Sequence, residues 1–167
     1  EARGLADSFI SSLVYNEVTV FAGTQRGLTE LSPPQYRSIN QEYFNLFRGI
    51  RIYDLYWDND NLWIASEIGL FRWQSESLFY FNGTNFVNVP KNYKIEISEL
   101  GIILRVKQIA GSENNVYFVH DFGILIFDKK TTTWSESEKE HHILNLKIND
   151  LEVISFDGKD EYLWVAA

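Results

Sequence analysis

His141-His142 are the first residues to inspect for chemistry, because paired imidazoles ligate metals. Neighbouring residues on a strand point to opposite faces, and no carboxylate or Cys stands at a ligand spacing from this pair. An exposed loop accounts for them. "DNDN" at 58–61 and "DGKDE" at 157–161 offer oxygen donors as calcium loops do, yet neither has the full alternating set with its distal Glu. Turn chemistry accounts for both. Glu136, Glu138 and Glu140 alternate along one wet face of a strand or loop. The "NGT" at 82–84 is a formal glycosylation sequon, and a hairpin turn explains it without sugar. No Ser or Thr sits in a nucleophile-elbow pattern, and no Gly-rich phosphate loop is present. The sequence therefore assigns no catalytic residue, no cofactor and no metal, and the expectation is a protein that is not an enzyme.

A different set of polar residues stands out by position. "VTVFAGTQRGLTEL" at 18–31, "DNLWIASEIGLFRW" at 60–73 and "NNVYFVHDFGILIF" at 114–127 have one shape, and "EYLWVAA" at 161–167 starts it again. In each, an aromatic-led apolar run reaches a short polar turn and then a Gly that opens a second apolar run. The turns vary while their frame repeats, as expected of loops that carry function on a fixed scaffold. They nominate Gln25, Arg26, Glu67, His120 and Asp121 as ligand-binding residues. Simple turn variation is the competing explanation.

The frame itself is periodic. The aromatic anchors Phe21, Trp63, Tyr117 and Trp164 are spaced by 42, 54 and 47 residues. Six residues after the first three come Gly27, Gly69 and Gly123, each followed by Leu or Ile. Eleven residues before the four anchors stand Ile10, Ile52, Val106 and Val153, and three residues further on Leu13, Leu55, Ile109 and Phe156. For the fourth unit, "INDL" at 148–151 matches "IYDL" at 52–55 better, at the cost of a five-residue insertion. Each unit reads as short strands joined by tight turns, with the Gly supplying conformational freedom at the reversal. "SPP" at 32–34 ends the third strand. "QYRSIN" at 35–40 is a candidate outer strand, and an extra hairpin turns at Asn82-Gly83. Helix signals are weak, and 33–47 reads as strand and loop with room for one helical turn.

Four-stranded antiparallel units repeating at such periods point to an all-β fold, a partial β-propeller of about three blades plus the start of a fourth. The blades run approximately over 5–45, 46–90, 91–140 and 141–167. An ordinary β-sandwich is the alternative, but it needs no phrase repeated at fixed offsets. The anchors are expected to pack between blades, with small Ala22-Gly23 and Ala65-Ser66 beside them allowing close approach.

Composition agrees. The 167 residues are 45% hydrophobic and 16% aromatic, which suits pleated, half-buried strands. A net charge of −8 argues against nucleic-acid or anionic-membrane partners. No run of apolar residues is long enough to span a bilayer. The absence of Cys excludes disulfides and thiolate chemistry. With no Met and no signal peptide, the chain reads as an internal or processed piece of something longer.

The two N-terminal units resemble two-component regulator propeller repeats. Gly4-Leu5, Ile10, Leu13, Phe21, Gly23-Thr24 and Gly27-Leu28 match that pattern, as do Asp58, Asn61-Leu62-Trp63-Ile64 and Gly69-Leu70. Ala65-Ser66 replaces Gly-Thr in the second unit; Val119-His120 replaces it in the third, where Ile124 also replaces Leu. The resemblance implies a ligand-sensing or protein-interaction segment of a periplasmic or cell-surface sensor of a hybrid two-component protein. Similar blades occur in structural or adhesive modules of secreted and cell-surface assemblies, the alternative reading. The implied partners are a small molecule or glycan, or a neighbouring protein domain, together with the remaining blades of the parent chain.

Overall fold

The computed structural model describes residues 5–31, 45–91, 104–136, 150–156 and 160–166. The fold is all-β, built from antiparallel sheets in the manner of a partial propeller. The strands are β1 (Ile10–Tyr15), β2 (Val20–Thr24), β3 (Gly27–Leu31), β4 (Ile52–Asp58), β5 (Asn61–Ser66), β6 (Gly69–Gln74), β7 (Ser77–Phe81) and β8 (Phe86–Val89). There follow β9 (Val106–Gly111), β10 (Asn115–His120), β11 (Gly123–Asp128), β12 (Thr133–Glu136), β13 (Asp150–Phe156) and β14 (Asp160–Ala166). They form four separate meanders in chain order: β1–β3, β4–β8, β9–β12 and β13–β14. Ile10, Ile52 and Val106 thus begin the first strands of three distinct sheets. The second sheet has five described strands because the hairpin at Asn82–Asn85 adds β8. One 3-10 turn, Asn45–Phe47, lies in the stretch read as strand and loop. The candidate outer strand 35–40, His141-His142, Glu138 and Glu140 lie outside the described residues, as does 157–159 of the "DGKDE" stretch.

The chain divides into two compact units, Glu1–Arg105 and Val106–Ala167. In the first, the β1–β3 and β4–β8 sheets pack face to face. Strand alternation decides which side chains meet. Val14, Phe21 and Leu28 project from the first sheet; Ile52, Leu55, Leu62, Ile64, Phe71, Leu78, Tyr80 and Val89 project from the second, and together they form one buried core. Phe47, from the 3-10 turn, closes it and meets Phe71 edge-on at 5.1 Å. Phe21 lies parallel to Trp57 at 5.9 Å, an aromatic contact that joins the two sheets directly.

Gly23 sets the separation of the sheets. A Cβ built on it would lie 2.6 Å from Cγ2 of the fully buried Ile52. The expectation that small residues beside the anchor let sheets approach is met here in atomic terms. Two polar contacts fasten the same seam: Ser11 Oγ donates to the Ile52 carbonyl at 2.7 Å, and Leu55 N–H donates to Ser12 Oγ at 3.2 Å. Ser11 reaches Ile52 because β1 bulges between Ile10 and Ser12. The same bulge recurs between Ile52 and Asp54, and opposite Val119/His120 where β9 pairs with β10. It re-aims the start of each first strand, and nothing in the residue pattern announced it.

Trp63 is fully buried on the other face of the second sheet. Phe86 packs against it at 5.7 Å, and the half-buried Arg72 guanidinium stands over Trp63, Phe79 and Phe86 at 5.6, 5.4 and 4.7 Å. Phe21 and Trp63 occupy equivalent places, so the anchors of both sheets project from the same side of their own blade.

The second unit repeats the plan. The β9–β12 sheet buries Val106, Val116, Phe118 and Ile124, and β13 runs beside β9 as β4 runs beside β1. The register of the last hairpin corrects one expectation. In the first three sheets the anchor pairs with the residue seven before it: Phe21 with Val14, Trp63 with Tyr56, Tyr117 with Ala110. Trp164 pairs instead with Glu152, twelve before it. The equivalent of Leu13, Leu55 and Ile109 is therefore Leu151, and the gap-free alignment through Val153 and Phe156 does not hold. The β13–β14 pairing runs on past the anchor as far as Phe156 with Asp160, and this longer hairpin absorbs the five-residue insertion that "INDL" requires.

Two substitutions test this packing. Gly23→Ala forces a methyl into Ile52, which has no solvent to move into, and should cost about 1–3 kcal/mol, as for overpacked cores. Trp63→Ala should cost about 3–5 kcal/mol. Denaturant midpoints measure both, and an unchanged midpoint for either would remove that residue from the core.

Candidate functional site

The nominated turns are two-residue reversals. Thr24 pairs with Gly27, Ser66 with Gly69 and His120 with Gly123, leaving Gln25-Arg26, Glu67-Ile68 and Asp121-Phe122 at the tips. Gly27, Gly69 and Gly123 have φ of 147°, 122° and 148°, a region that disfavours side chains. In the first two turns a hydroxyl closes the reversal: Thr24 Oγ1 and Ser66 Oγ each donate to the Gly carbonyl at 2.8 Å. In the third, where His120 stands at that place, its Nδ1 accepts from Phe122 N–H at 3.3 Å. The departure from Gly-Thr thus keeps a side chain bonded across the turn with a different atom.

Backbone bonds place the first two turns at one end of the first unit. Gly49 N–H donates to the Arg26 carbonyl and Glu67 N–H to the Arg51 carbonyl, both at 2.9 Å, so the two tips flank the short segment 49–51 that enters β4. Gln25, Arg26 and Glu67 are exposed there, together with Arg48 and Arg51. Arg51 lies over the Tyr53 ring at 5.2 Å. Three arginines against Glu67 and Asp7, whose segment meets the turn through Gln25 N–H and the Phe9 carbonyl, leave this end with a small positive excess in a chain whose net charge is −8. Arg48 and Arg51 escaped sequence reading because they precede β4, outside the turns that repeat within each unit. Ile68 belongs to the buried core despite its place at a tip.

His120 and Asp121 belong to the second unit. Asp121 is exposed and pairs with Lys107, the bulged residue of β9. A pair this open stabilises little. Phe122 is 80% exposed at the tip, next to the His120 ring. Burial pushes the His120 imidazole below its ordinary pKa of 6.5, against the opposing charges of Glu136 and Asp121.

The opposite end of the first unit carries a cleft that the sequence did not single out. It encloses about 440 Å³ and is lined by Tyr15, Asn16, Glu17, Trp57, Asn59 and Asp60. These come from the β1–β2 and β4–β5 turns, which are equivalent in the repeat: Tyr15 corresponds to Trp57 and Glu17 to Asn59. Glu17 and Asn59 share a positive φ, 71° and 49°. Asn16 Oδ1 accepts from Val18 N–H and Thr19 N–H at 3.2 and 2.7 Å, which fixes the first wall. Asn59 and Asp60 belong to the "DNDN" stretch, so turn formation is one of its roles. Among the described residues no group of three or more His, Cys, Asp or Glu side chains is placed to hold a metal ion. No helix among them is long and apolar enough to cross a membrane.

No family model matches the chain. No curated protein matches it either. Solved structures do. The extracellular domain of BT4673 from B. thetaiotaomicron, described as a one-component system in one structure and a hybrid two-component system in another, matches with TM-scores of 0.61 and 0.56. Identities are 15% and 14%, over 97% and 98% of this chain. A computationally designed protein, Ika8, matches with a TM-score of 0.52 and 12% identity over 94% of this chain and 46% of its own. The likeness is one of fold. This chain spans 20% of the length of each BT4673 structure.

His120 yields a pH test. Below pH 6.5 the unfolded chain binds a proton that the folded imidazole resists, so stability rises with pH from the depressed folded pKa up to about 6.5. His120→Gln should flatten that part of the profile relative to the parent. Parallel profiles for the two proteins would show that His120 titrates as it does in the unfolded chain.

Proposed function

We propose that this chain is a non-catalytic ligand-sensing or protein-interaction segment of an extracytoplasmic sensor, periplasmic or cell-surface, in a two-component system. The observation that carries the reading is the fold shared over nearly the whole chain with the extracellular domain of BT4673. Twofold repetition of a rigid sheet supports it, because it presents the variable turns Gln25-Arg26 and Glu67-Ile68 side by side. The basic end of the first unit, with Arg26, Arg48 and Arg51, suits an anionic or hydrogen-bonding ligand or a partner domain. Arginine offers forked donors to carboxylate and phosphate groups.

The remaining blades of the parent chain are the second partner. Ile10, Leu13 and Tyr15 are 43%, 56% and 62% exposed. They stand one repeat before Ile52, Leu55 and Trp57, the residues through which the second sheet receives the first. A further blade presenting an aromatic at the Phe21 position would cover them in the same way. This apolar face also favours the alternative, a structural module of a surface assembly, where the cover comes from another protein.

The test is a thermal-shift screen of the protein against anionic small molecules and acidic glycans, repeated on Arg26→Ala/Glu67→Ala. A compound that raises Tm in the parent and not in the variant supports sensing through this end. Equal shifts in both proteins, or none with any compound, would leave the assembly reading in its place.

A further inference from the structure

We infer that the cleft between the β1–β2 and β4–β5 turns binds a small organic cation, an alkylammonium group, at a site separate from the basic end. The cleft is the right size: small-molecule pockets run to roughly 300–1,000 Å³, and this one encloses about 440 Å³. Its lining residues include the aromatic Trp57 and two acidic residues, Glu17 and Asp60, with Tyr15 at the start of the β1–β2 turn and no basic residue among them. Aromatic faces attract cations through the ring quadrupole, and indole is the strongest of them. A neighbouring carboxylate adds direct charge attraction that a neutral ligand cannot use.

Trp57 is suited to this role by its position. It is half-buried, with Phe21 stacked parallel to it at 5.9 Å, so the core holds the indole in place in a residue that lines the cleft. Tyr15 is held as well, its hydroxyl donating to the Glu17 carbonyl at 2.5 Å. The two turns that line the cleft belong to adjacent blades whose sheets share one packed core. Little ordering cost then falls on binding. The opposed polarity of the two ends, arginines at one and carboxylates with aromatics at the other, separates this ligand from any anion bound near Arg26.

The experiment follows the indole N–H resonance of Trp57, assigned with Trp57→Phe, in the whole 167-residue protein. Tetramethylammonium and the amide of N-acetyl-lysine are titrated at constant ionic strength beside two neutral probes, tert-butanol and methyl glucoside. The inference predicts a saturable shift with the cations, weakened about tenfold in Glu17→Gln/Asp60→Asn, and none with the neutral probes. Tighter binding of the lysine amide would assign the site to a lysine side chain of a partner; tighter binding of tetramethylammonium, to a free quaternary amine. Arg26→Ala/Glu67→Ala should leave these titrations unchanged, so this site and the one at the basic end fail or stand independently. A shift by methyl glucoside alone would make the cleft a sugar site. Equal response to tert-butanol, or a cation response untouched by the carboxylate changes, would also overturn the proposal.

Discussion

The first unit depends on how closely two sheets can approach, and one missing side chain decides it. With hydrogen at Gly23, the Ile52 side chain sits against the backbone of β2 and the aromatic contact between Phe21 and Trp57 forms. The buried rings and aliphatics of both sheets then share one core. Hydrophobic burial scales with the apolar area removed from water, and it weakens when gaps open, because interior packing is close to crystalline. The seam hydrogen bonds of Ser11 and Ser12 need the same approach. Each blade is therefore only half a solution, and its stability comes from the neighbour it faces.

That constraint also shapes both ends of the unit. At one end the Gly residues after each turn release the chain into the next strand and bring Arg26, Arg51 and Glu67 around a short backbone segment. At the other, equivalent turns from two blades stand apart and leave a cleft between them. Neither end has a separate scaffold. Their geometry is a by-product of repetition, and their chemistry comes from the residues that do not repeat. Glu17 and Asn59 share a backbone conformation but not a charge; Tyr15 and Trp57 share a place but not a neighbour.

Much of the fold was legible because its signals are local and repeated. The anchors, the Gly six residues on, and the apolar pairs upstream depend on strand alternation and turn chemistry, and the register of β1–β2, β4–β5 and β9–β10 follows them. The fourth unit was harder. A gap-free match through Val153 competed with the insertion, and only pairing of Trp164 with Glu152 decides between them. The bulges were not legible, since Ser11, Tyr53 and Lys107 have no common chemistry. The turn tips could be placed from sequence, but Arg48, Arg51 and the cleft could not. They arise where adjacent blades meet, and a single repeat holds no record of its neighbour.

The central claim is that the two N-terminal sheets are held face to face through the anchor Phe21 of the first and Trp57 of the second. A double-mutant cycle on Phe21 and Trp57 tests it, with each replaced by Leu and stability measured by denaturant unfolding. Parallel rings in contact across the seam should show a coupling energy of about 0.5–1.5 kcal/mol. Strict additivity of the two substitutions would contradict the contact and the packing built on it.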